Sequence, residues 1–182
     1  MSTLLAGFPV SVPGITINRL CASALSAVNE AAKSIIAGEG DVYIGSGVES
    51  MSRAPHILSG SRPGKKVDNR KLVDTMVHDG LWCCFNDTHM GNLEEGTAME
   101  LEVSRQEQDL FALSSHRNAV RATGDGSFSE EIVPVNIGTR DTNAIVVKDE
   151  GPRPDTSIAA LQKLSAPFET GDTVTPGNSS QI

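Results

Sequence analysis

Aromatic side chains are scarce in this sequence, 4% of 182 residues with a single Trp and a single Tyr, so its core must come from Val, Ile, Leu and Ala. Cysteine is scarce too. There are three, and Cys83 and Cys84 are neighbours, whose mutual bridge would be strained; this is no secreted disulfide framework. A reducing, cytoplasmic setting fits such usage. Basic charge falls short of acidic, 15 Lys and Arg against 23 Asp and Glu, and a net charge of −8 argues against nucleic acid as a partner. Long apolar runs are absent. The opening stretch Met1 to Val10 has no basic region and is broken by Gly7 and Pro9, so neither a signal peptide nor a membrane span is expected. The four histidines and three cysteines show no paired ligand spacing, so no metal site is expected. No internal repeat is visible.

What is present is a globular composition, 38% hydrophobic and 21% charged, in a chain long enough for one domain or a small domain with an appendage. The most informative stretch surrounds Cys21. Gly14-Ile15-Thr16-Ile17 is β-branched and reads as a buried strand. From Ala22 onward, Leu25, Val28, Ala32, Ile35 and Ile36 recur at helical spacing up to Gly38. Cys21 therefore lies at a strand-to-helix junction. Helix N-terminal N–H groups lack internal partners and carry partial positive charge, which favours a thiolate and could hold an oxyanion. A buried free cysteine acting as a small hydrophobe is the competing reading.

Asp41 to Gly47 reads as a second buried strand, completing a βαβ unit and implying a parallel sheet. Ligands gather at the carboxyl ends of such strands, where Cys21 and Gly45-Ser46-Gly47 would both lie. Residues 52–71, rich in Arg, Lys, Pro and Gly, read as an exposed excursion, a loose hairpin with a solvated charged face. A short helix is expected over Asp68 to Gly80, and no clear period marks Leu81 to Gly91. Ser104-Arg105-Gln106-Glu107 is a capping box opening a helix that should end near Gly124, with Leu110, Phe111, Leu113 and Val120 on its apolar side. Glu130 to Ile137 and Asn143 to Lys148 look strand-like, the first interrupted by Pro134. Thr156 to Leu164 suggests a short capped helix. The closing run Thr173 to Ile182 reads as the approach to a further element.

Together these segments resemble the thiolase family of acyl-CoA acetyltransferases. The similar stretches are NRLCAS (residues 18–23), GSGVESMSRAP (45–55), DTMVHDGL (74–81), NDTHMG (86–91), SRQEQDLFAL (104–113), EEIVPV (130–135) and TVTPGNSS (173–180). Their order and spacing follow the family over nearly the whole chain. The resemblance implies an α/β, thiolase-like fold: residues 1–52 as an incomplete βαβ portion of the N-terminal core half, and residues 53–182 as an inserted α+β loop domain. It implies Cys21 as the acyl-accepting nucleophile. Leu81, His89 and Met90 would lie near the pantetheine of coenzyme A, Arg153 near the adenine, and Leu164, Phe168 and Ser180 along the groove. Leu164 and Phe168 would equally serve as core residues of a small helical domain.

Coenzyme A or acyl-CoA would act as substrate rather than as a resident cofactor. A homo-oligomer is expected of the complete enzyme. The family's other activating groups, a His, an Asn and a second Cys, belong to a half that this chain lacks, so the chain alone should turn over poorly unless that half is supplied in trans. A non-catalytic CoA-binding or assembly fragment is the alternative. A β-ketoacyl synthase is disfavoured by the long stretch between Met51 and Ser180. The chain departs from the family pattern at Ala24 (usually Gly), at Trp82-Cys83-Cys84, at Asn92 to Gly96, where Gly96 should weaken a helix, and at Gln181 (usually Gly).

Overall fold

The computed structural model describes residues 1–60, 69–138, 144–168 and 171–181. The chain divides into two compact units, Met1–Gly80 and Leu81–Ile182.

The first unit opens with a one-turn helix, α1 (Ser2–Leu5), which the sequence did not signal. Its main element is α2 (Ser23–Ile36), bounded as its apolar spacing predicts and followed by Gly38 in the left-handed region at φ 75°. The strands expected on either side of α2 carry no ladder: residues 13–18 and 43–50 are unassigned, and among the described residues every sheet is an antiparallel pair. The βαβ path is there without its parallel pairing. A parallel ladder needs strands side by side, and no neighbouring strand occupies that position here. The second segment nevertheless packs tightly on α2. A Cβ at Gly45 would lie 3.0 Å from the Val28 backbone, and one at Gly47 would lie 2.7 Å from the Ala24 Cβ. Glycines two apart meet helix residues four apart, so one edge of the segment rests on one helix face. Ala24 is the residue that Gly47 accommodates.

The excursion is a hairpin, as expected: β1 (His56–Leu58) pairs antiparallel with β2 (Leu72–Asp74). Arg62, Lys65 and Lys66 lie outside the described residues. The helix expected over Asp68 to Gly80 is not formed as such. Its middle is β2, and Met76–Leu81 makes a single π-helical turn. Leu72 and Val73 are strand formers with a partner available, and this outweighs the local helical preference.

In the second unit, β3 (Trp82–Cys83) and β4 (Thr88–His89) form a small hairpin leading directly into α3 (Met90–Glu100). Gly96 does not prevent this helix. α4 (Arg105–Gly124) carries the capping box read from sequence: Glu107 N–H donates to Ser104 Oγ, and Glu107 Oε2 accepts from the Ser104 N–H at 2.9 Å. The Ser104 hydroxyl also donates to Glu107 Oε2 at 2.7 Å; this bond first, and then the one from the Ser104 N–H, hold the Glu107 carboxyl below its ordinary titration range. β5 (Val135–Asn136) begins immediately after Pro134 and pairs with β6 (Ile145–Val146). The one-turn α5 (Ile158–Leu161) is capped by Ser157.

The core of this unit is small and partly polar. Leu113, Leu161 and Val174 are its buried apolar side chains, joined by buried Glu95, Asp109 and Thr175. The expected apolar side of α4 is therefore corrected: Asp109 and Leu113 face inward, whereas Leu110 and Phe111 are exposed. Arg105 explains the inversion. Its Nε donates to Asp109 Oδ2 at 2.9 Å, and one of its terminal nitrogens donates to the carbonyls of Leu161 and Leu164 at 2.7 and 3.1 Å. Packing α4 through this ion pair turns Leu110 and Phe111 outward. Among the described residues no helix is long and apolar enough to cross a membrane.

Candidate active site

Cys21 lies in a loop braced by its own neighbours. Asn18 Oδ1 accepts the Leu20 N–H at 3.0 Å. Ser23 Oγ accepts the Arg19 N–H at 2.8 Å and donates to the Leu20 carbonyl at 2.6 Å. Two backbone bonds, Ala22 N–H to the Arg19 carbonyl (3.1 Å) and Ser23 N–H to the Leu20 carbonyl (3.0 Å), close the turn. Leu20 adopts φ 51°, a left-handed conformation costing about 1–3 kcal/mol for a residue of its kind and tolerated only where the surroundings enforce it. The turn presents Cys21 exposed, immediately before the helix. The N-cap of α2 is Ala22, which offers no side-chain acceptor, and no acidic residue stands in the first turn. The positive end of the helix dipole next to the thiol is left uncompensated by side chains.

In the second unit the structure brings His89 and Phe168 together as stacked rings, centroids 5.3 Å apart at 26°. Gly91 permits this, since a Cβ there would collide with the Phe168 ring. His89 is also the N-cap of α3, its Nδ1 accepting the Gly91 N–H at 3.1 Å. That bond assigns the proton of the neutral imidazole to Nε2, leaving an N–H donor on the far side of the ring. Met90 follows at the first turn of α3 and lines an open groove of about 400 Å³ with Leu93, Ala98, Leu101, Val103 and Val174. Of the residues singled out by sequence, Met90 alone borders this groove. Leu81 is half-buried at the start of the hairpin.

Arg153 and Ser180 are both exposed. The Arg153 N–H donates to His116 Nδ1 at 3.1 Å, fixing its segment to α4. Gln181 Nε2 donates to the Gly151 carbonyl at 2.9 Å and ties the Ser180 segment to the Arg153 segment. Leu164 packs with Leu161 against Gly177, so it supports the structure in addition to any contact with a ligand. Among the described residues no group of three His, Cys, Asp or Glu could hold a metal ion.

Three anchoring residues escaped the sequence reading. Buried Glu95 accepts the Thr173 hydroxyl (2.7 Å) and the Val174 N–H (2.7 Å). Asn178 donates to Asp109 Oδ1 (3.0 Å) and to the Thr173 carbonyl (2.9 Å), while its own oxygen accepts the Thr175 N–H at 2.7 Å. These bonds fasten residues 173–178, and hence the approach to Ser180, onto α3 and α4. The four-residue spacing of Arg105 and Asp109 was the one signal in the sequence that could have disclosed part of this network.

The profile of the thiolase N-terminal domain matches residues 1–182. The chain belongs to the thiolase family. It is 46% identical over 181 residues to a probable acetyl-CoA acetyltransferase of Escherichia coli K12, covering all of this chain and 46% of that protein. A probable acetyl-CoA acyltransferase of Staphylococcus aureus COL is 43% identical over 183 residues, again covering the whole chain and 47% of the relative. Among solved structures, the acetyl-CoA acetyltransferase of Bacillus anthracis superposes with a TM-score of 0.94 at 36% identity, covering all of this chain and 46% of that one. That of Syntrophomonas wolfei gives 0.92 at 36% identity, covering 98% and 45%. The α/β thiolase fold read from the sequence is borne out. The chain spans about half the length of the curated relatives it matches.

Proposed function

We propose that the chain is the nucleophile-bearing and CoA-binding portion of a thiolase-type acyltransferase. In this reading residues 1–52 are core and residues 53–182 are the CoA-binding loop domain. The Cys21 thiolate attacks the carbonyl of an acyl-CoA, the C–S bond to coenzyme A breaks, and an acyl-enzyme and free CoA result. A second acyl-CoA, deprotonated at its α-carbon, attacks the Cys21 thioester carbonyl, breaks its C–S bond and forms a 3-oxoacyl-CoA with release of the Cys21 thiolate; thiolysis is the reverse. The Cys21 N–H contributes to an oxyanion hole at the start of α2. Leu81, His89 and Met90 border the pantetheine, Phe168, Leu164 and Ser180 lie along the path of the bound coenzyme, outside the open groove that Met90 lines, and Arg153 stacks on the adenine.

The observation that carries this reading is an exposed cysteine held in a braced, strained turn at an uncapped helix N-terminus. The family match over the full chain supports it. Because the chain spans about half of its relatives, we take the remaining activating groups to come from a complementary half, with acyl-CoA as the small-molecule partner and a homo-oligomer as the working assembly. Thiol release from acetyl-CoA tests this. Little release is expected from the chain alone, with release restored on co-expression with a complementary thiolase half. Robust turnover by the chain alone would refute the dependence. Binding of CoA without restored turnover would favour a non-catalytic CoA-binding fragment.

A further inference from the structure

We infer that Trp82, a departure from the family pattern, is a wall of the CoA groove that contacts the pantetheine arm; this rests on the CoA-binding reading above. Trp82 and His89 are directly opposed in the β3–β4 ladder. Opposed residues in an antiparallel pair project from the same face, with their Cβ atoms about 4.5–5.5 Å apart. Trp82 and His89 therefore share one face of the hairpin, and the His89 imidazole stacks on Phe168. Trp82 Nε1 donates to Asp87 Oδ1 at 3.1 Å, so its polar atom is already engaged. Asp87 itself sits at φ 49°, in the tight turn that closes the hairpin. The hydrogen bond holds the indole in place across this turn and leaves its apolar faces to meet a ligand. Trp82 is 39% exposed, unlike a residue spent on the core. A flat, partly open ring on the same hairpin face as the His89 Nε2–H donor suits the alternating amides and methylenes of pantetheine: the ring covers the chain while the donor meets a carbonyl.

Trp82 is the sole tryptophan of the chain, so its emission reports on this surface alone. The intact chain is titrated with CoA, with pantetheine and with ADP, each followed by calorimetry and by acrylamide quenching of Trp82. CoA and pantetheine are expected to protect the indole saturably, with the dissociation constants found by calorimetry, and ADP is expected to leave quenching unchanged. Trp82→Ala should weaken pantetheine binding about two- to tenfold. Trp82→Phe, which retains a ring in the hairpin, should recover most of that loss and guards against a simple folding defect. Calorimetric binding of CoA without any protection of Trp82 would overturn the inference while leaving the CoA reading standing. Absence of binding by either method would overturn both.

Discussion

At the residue scale, the proposed chemistry rests on a few side chains whose neighbours hold them in place. Cys21 is presented by Asn18, Leu20 and Ser23, not by burial. Ser23→Ala would remove both the acceptor for the Arg19 N–H and the donor to the Leu20 carbonyl. Leu20 would then relax out of its left-handed conformation, and alkylation of Cys21 by iodoacetamide should change rate while Cys84 keeps its own; an unchanged Cys21 rate would show that the turn does not depend on Ser23. Asp109 is the clearest stability prediction. It is fully buried, pairs with Arg105 and accepts from Asn178. Asp109→Ala removes the buried partner of the half-buried Arg105, which keeps its bonds to the Leu161 and Leu164 carbonyls, and takes one acceptor from Asn178; it should cost about 1–3 kcal/mol, read as a lower denaturant midpoint. The sequence made Cys21 legible because a strand-like run meeting a helical period isolates it. It hid Glu95, because a carboxylate in a Glu-rich stretch looks solvated until the fold brings Thr173 and Val174 onto it.

At the element scale, α2 and α4 were readable for different reasons. α2 has an apolar period ending at Gly38, and α4 has an explicit start signal in Ser104 and Glu107. The inward face of α4 was not readable. Its buried positions are Asp109 and Leu113, with Arg105 half-buried beside them, and an apolar count favours Leu110 and Phe111, which the fold leaves in water. The short antiparallel pairs were only partly legible, since two- and three-residue strands are decided by their partners more than by their own composition. The capping box predicts a pH response. The folded carboxyl of Glu107 titrates below its ordinary value, so its contribution to α4 is complete above that value and is lost as pH falls through the depressed folded one. Helicity followed by circular dichroism should therefore fall in acid with a component that Glu107→Gln removes. Gly47→Ala tests the packing of the second segment on α2. Its new Cβ would lie 2.7 Å from the Ala24 Cβ, so the variant should be destabilised, and Ala24→Gly should restore it.

At the scale of the whole molecule, the first unit keeps apolar side chains in water that ordinarily form a core. Ile15, Val42 and Ile44 are 81%, 87% and 77% exposed. They lie in the segments that read as buried strands, and their composition was legible because it suits a sheet interior. What the sequence of this chain could not supply is the neighbouring strands. The chain alone should bind hydrophobic dyes and associate, and a complementary thiolase half should suppress both. A dilute, stable monomer with cooperative unfolding on gel filtration and denaturant titration would contradict this. The family match covers every residue of the chain, and the chain spans about half the length of the curated relatives it matches.

The central claim is that Cys21 accepts the acyl group. Its most direct test is mass spectrometry of peptides from the chain after brief incubation with acetyl-CoA beside a complementary thiolase half, quenched with acid within the first turnover. The account predicts one acetyl group on the peptide carrying Cys21, none on the peptide carrying Cys83 and Cys84, and no adduct in Cys21→Ser. An unmodified Cys21 under conditions that support turnover, or acetylation confined to Cys83 or Cys84, would contradict it.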